Sequence, residues 1–83
     1  MNHSQTIKFQ TAEINLSDEY REARKLMGNK NTDLDDLYRT VSHIYVCIPP
    51  DAEEWAEAYL NLMYEIEQRQ VMVMNLKIDA LFR

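Results

Sequence analysis

The sequence predicts an all-α domain: a short helix, then a helical hairpin with a long C-terminal helix, all preceded by an extended or short β arm. Three observations predict it. One Gly and two Pro among 83 residues leave few places for tight turns, which counts against a many-stranded sheet. Apolar residues recur at three- and four-residue spacing through most of residues 18–82. A hydrophobic content of 46% is that of a globular chain with a core, not of a disordered one. The length fits one domain, 1–83, of a size at which a single core is marginal and self-association a common remedy.

Taken in order, residues 1–16 form the arm. Ile7 and Phe9 alternate with polar neighbours before the register shifts to Ala12, Ile14 and Leu16. Helix 1 is expected over 18–27, with Ser17 as N-cap and Gly28 ending it as a left-handed cap. Helix 2 is expected over 33–48. Thr32 would cap it, and Asp33, Asp35 and Asp36 would sit where the helix dipole favours negative charge. Its stripe is Leu34, Leu37, Tyr38, Val41, Ile44, Tyr45 and Ile48, and Pro49 stops it. Helix 3 is expected over 52–82, with Asp51 and Glu54 as a capping box. Trp55, Tyr59, Leu62, Ile66, Val73, Leu76 and Ala80 mark its main face, interrupted at Arg69. The competing reading is an α+β fold with strands at 5–16 and 70–80, because Met72, Met74, Leu76 and Ile78 also alternate. The absence of a turn residue near Glu67–Gln70 favours the helix. The hairpin core should contain Leu37, Val41, Ile44, Tyr59, Leu62 and Ile66.

Helix 2 is too short to cover helix 3. The uncovered end of helix 3 carries a second apolar stripe, Val71, Ile78 and Phe82, with Tyr64 upstream. These residues are expected to meet a second copy of the chain, giving a homodimer; cover by the N-terminal arm is the alternative.

Charge is unevenly distributed. Between Asn31 and Glu67 nine carboxylates face one cation, Arg39, a balance of −8 where the whole chain carries −5. Glu54, Glu57 and Glu65 line up with Asn61 along helix 3 opposite its core face, with Tyr64 on the edge. Such a row suits a basic protein partner, since regular negative charge can imitate a phosphate backbone. A simple solvated face is the plainer reading. An isoelectric point near 4.9 counts against direct nucleic-acid contact, and the cations of helix 1, Arg24 and Lys25 among them, fit its dipole.

No enzyme is expected. His43 and Cys47 lie one helical turn apart, but two ligands are too few for a zinc site. His3 carries no signal. Glu-x-x-His pairs, a calcium loop and a glycine-rich phosphate loop are all missing from the sequence, so neither metal nor cofactor is expected. Cys47 is the only cysteine, no signal-peptide pattern is visible, and no apolar run reaches the roughly 18 residues of a membrane span. A cytoplasmic protein outside the membrane is expected. The leading functional expectation is an acidic interaction module that inhibits or neutralises a basic partner such as a nucleic-acid-handling enzyme, a toxin or a host-defence component. Phage-encoded anti-defence factors and antitoxins have this profile. A structural or assembly subunit using the apolar C-terminal helix is the alternative, and a small-ligand-binding homo-oligomer is a third.

Overall fold

The computed structural model describes residues 6–9 and 12–82. Expectations for His3 and for the ends of the chain lie outside the described residues. The order is β1 (Thr6–Phe9), β2 (Ala12–Asn15), α1 (Leu16–Met27), α2 (Leu34–Val46) and α3 (Glu53–Leu81). The fold is all-α, with the arm forming a small antiparallel hairpin that pairs Ile7 with Ile14. The strand alternative for 70–80 is wrong: that segment continues α3. With no residue to break the helix, the three-four spacing prevails over the alternation.

Helix ends differ from the expectations by a residue or two, each for a local reason. The α1 cap is Asn15, not Ser17; its side-chain oxygen accepts from the Asp18 N–H at 3.1 Å. Leu16 is fully buried, so packing draws the helix start back to the end of β2. Gly28 closes α1 in right-handed geometry, φ −79°, rather than left-handed. The last carbonyls of α1 are met instead by tight turn bonds and by the Thr32 hydroxyl, which donates to Leu26 O at 2.6 Å. That use of Thr32 leaves Asp33 as the α2 cap, accepting from the N–H groups of Asp35 and Asp36. At the other end α2 stops at Val46, two residues short of the expected 48, as tight-turn bonds from Cys47 and Ile48 tighten the chain ahead of Pro49. The Asp51–Glu54 capping box does not form. A turn bond from Ala52 N–H to Pro49 O starts α3 one residue later, with Ala52 at the cap and no side-chain cap bond.

The core is where α1, α2 and the first half of α3 meet. All six expected hairpin residues are buried, together with Leu16, Ala23 and Met27. Ile7 and Ile14 bring the β hairpin onto this cluster, so the arm covers the head of the molecule. Tyr20 packs edge-on against Trp55 and Tyr59, a preferred aromatic arrangement, and Trp55 and Tyr59 lie tilted to each other, with ring centroids 5.6 to 6.1 Å apart. The α2 N-terminus reaches α3 at Gln70, whose amide donates to Asp35 Oδ1 at 2.6 Å. Beyond that point, each of residues 71–82 is exposed.

Candidate interaction surface

The outward face of the first half of α3 is built by the burial of the opposite face. With Tyr59, Leu62 and Ile66 fixed in the core, the 100° advance per residue turns Glu53, Glu57, Leu60 and Tyr64 to the far side. Glu54 and Asn61 lie beside them, and all six are exposed. Tyr64 keeps 62% of its surface and Leu60 keeps 50%, one turn apart on the same line. The result is an aromatic–aliphatic step with carboxylates toward its N-terminal end.

Of the acidic row read from the sequence, Glu54, Glu57, Asn61 and Tyr64 share this face, whereas Glu65 stands at its margin. There the Arg24 guanidinium of α1 reaches Glu65 at 3.2 Å. The hydrogen bond to Glu65 raises the Arg24 pKa above its ordinary value, and Arg24 also lies 5.9 Å from the Tyr20 ring centre. Glu65 therefore ties α1 to α3 and is partly neutralised. Among the described residues, Glu54 and Glu57 have no cationic partner, so they carry the free charge of the row. Glu53 and Leu60 belong to the surface and were missed from sequence. The signal was present, since Glu53–Glu57 and Leu60–Tyr64 are both four-residue pairs.

Val71, Ile78 and Phe82 all lie on the uncovered half of α3, with 54%, 43% and 85% of their surface exposed. Glu67, on the same side and just before them, accepts a hydrogen bond from the Tyr38 hydroxyl at 3.1 Å. His43 sits exposed in the last turn of α2, and Cys47 is half-buried at its cap. Among the described residues, no three His, Cys, Asp or Glu side chains group as a metal site would require, and no helix is long and apolar enough to cross a membrane. An open groove of about 630 Å³ lies between the α1–α2 connection and α3, lined by Met27, Leu34, Val73 and Met74 with charges of both signs at its rim. No protein-family model, curated protein or solved structure matches this chain.

Proposed function

We propose that this protein is an acidic interaction module that docks a basic protein surface and blocks it. The observation that supports this most is the outward face of α3: Tyr64 and Leu60 stand exposed beside Glu53, Glu54 and Glu57, which among the described residues have no cationic partner and no other element over them. An aromatic anchor with a charged border is the usual anatomy of a binding patch. Carboxylates one turn apart offer Lys and Arg the spaced negative charge that a phosphate backbone would. The partner class that fits is a nucleic-acid-handling enzyme, a toxin or a host-defence component with a basic groove, held inactive while the groove is occupied.

The test is affinity capture from the native host, comparing wild type with Glu54→Lys/Glu57→Lys. The reversals take the net charge from −5 to −1 and leave the Arg24–Glu65 pair intact. A charge-matched control, Glu22→Lys/Asp36→Lys, touches only exposed pairs and keeps both the Asp33 cap and the Asp35–Gln70 contact. A basic partner should be captured by wild type and control, lost from the Glu54/Glu57 variant, and released at about 1 M salt, where screening acts within roughly 3 Å. Capture of no basic protein, or equal capture by both variants, would refute the acidic row as a docking site.

A further inference from the structure

Residues 71–82 extend past the end of α2 as bare helix. Eight apolar side chains there remain 41% to 85% exposed. At roughly 100 Å² for each such side chain when fully exposed, they hold on the order of 500 Å² of apolar surface. That is near the upper limit for the largest patch on a typical monomer. The seam side alone, Val71, Met74, Ile78, Leu81 and Phe82, holds on the order of 300 Å² of it, which doubled across a symmetric contact gives about 650 Å², the size of a weak, reversible interface.

The pattern within this segment is self-complementary. Val71, Met74, Ile78 and Leu81 repeat at three, four and three residues, the spacing of a two-helix seam. The next position upstream in the same repeat is Glu67, a carboxylate engaged by Tyr38, so the seam stops where the head begins. Charge fixes the direction of pairing. Residues 1–70 carry seven Lys and Arg against thirteen Asp and Glu, a balance of −6, whereas residues 71–82 contain only Lys77 and Asp79 and are neutral. Parallel helices would bring two −6 heads side by side; antiparallel helices hold them at opposite ends.

We infer that the bare half of α3 is a homodimer interface, pairing antiparallel with the same segment of a second copy. In the register that uses the whole seam, Val71 faces the partner's Leu81 and Met74 faces the partner's Ile78, with the two-fold axis crossing at the level of residue 76. The overlap is then residues 70–82, about 18 Å of helix, which spans the bare segment from its tip to the first head residue. Met74 belongs both to the seam and to the groove beneath the α1–α2 connection. The partner's Phe82, opposite Gln70, therefore arrives at the mouth of that groove and adds to the buried area. The inference does not rest on the acidic row, which lies on the head.

The test is sedimentation equilibrium of the full chain from about 1 to 500 μM, a range that reaches a weak, reversible interface. Wild type should pass from monomer to dimer, and Ile78→Asp should weaken dimerisation at least tenfold while circular dichroism shows the head still folded. Met74→Lys, outside the core, should act in the same way. Spin labels at Asn61→Cys in a Cys47→Ser background measure direction. Fifteen residues from the axis on each side, the two labels should lie about 45 Å apart in the antiparallel dimer. A wild type monomeric at 500 μM, a dimer indifferent to both variants, or labels closer than about 25 Å would each overturn the inference.

Discussion

Tyr59 does three things at once. Its ring is fully buried against Tyr20 and Trp55, it belongs to the hairpin core, and its hydroxyl donates to Leu16 O at 2.6 Å, linking α3 to the first residue of α1 across 43 positions of sequence. Burial pushes its phenol well above the ordinary 10.0, because the phenolate would lose its hydration inside the core. The pH dependence has a definite sign. Below about 10 Tyr59 is protonated in both states and the proton balance is unchanged. Above that, the unfolded chain releases this proton while the folded chain keeps it, so stability falls as pH rises, by up to about 1.4 kcal/mol per unit from this group. Tyr59→Phe should cost about 1–3 kcal/mol at neutral pH by leaving the Leu16 carbonyl without this donor. It should also show a shallower loss of stability above pH 10 than wild type. Urea titrations of both proteins from pH 7 to 11 measure this; parallel curves would mean that the phenol is not held neutral by the fold.

At the scale of the element, α3 is two helices in one. Its first half is amphipathic and locked by α2, while its second half has the same apolar spacing and, among the described residues, only an open groove beside Val73 and Met74. Leu62, fully buried, and Leu76, 64% exposed, lie on the same predicted stripe fourteen residues apart. Leu62→Ala should destabilise by about 2–5 kcal/mol, and Leu76→Ala by less than about 0.5 kcal/mol in dilute, monomeric protein. Denaturant midpoints give both values, and equal losses would place α2 further along α3 than its contact at Gln70. Periodicity made the helices and the core legible in the sequence, because a buried stripe must repeat at the helical period whatever the neighbours are. Helix ends were less legible. Thr32 and Asp33 are both competent caps, and only the Leu26 carbonyl, which takes the Thr32 hydroxyl, decides between them. Residues 70–80 fit two periods, and the choice rested on the missing turn. The Arg24–Glu65 bond joins residues 41 apart; no local pattern announces such a pair, so Glu65 read as free. Glu54, Glu57, Asn61 and Tyr64 were legible as one face because they lie within three turns of a single helix.

For the whole molecule, shape and charge divide in the same place. The described chain measures 55 × 22 × 20 Å with a radius of gyration of 15.0 Å, against about 12 Å for a compact domain of this length. The excess comes from the projecting end of α3, which is also the neutral end. Alone, that end is barely a helix: segments shorter than about 12–15 residues are marginal in water without packing. It is anchored on one side only, at Gln70, so it should open locally far more readily than the head. Amide hydrogen exchange separates the two parts. In dilute protein the amides of Tyr59, Leu62 and Ile66 should exchange only on global unfolding, while those of residues 74–82 exchange with little protection. Raising the concentration until the proposed dimer forms should slow exchange in residues 74–82, and should slow the head amides as well, because dimerisation would stabilise the folded chain against the global unfolding through which they exchange. Ile78→Asp should abolish that concentration dependence. Strong protection of the tail in a demonstrably monomeric sample would instead mean that the end of α3 is held by contacts within its own chain, and the bare helix would then be the wrong picture of the molecule.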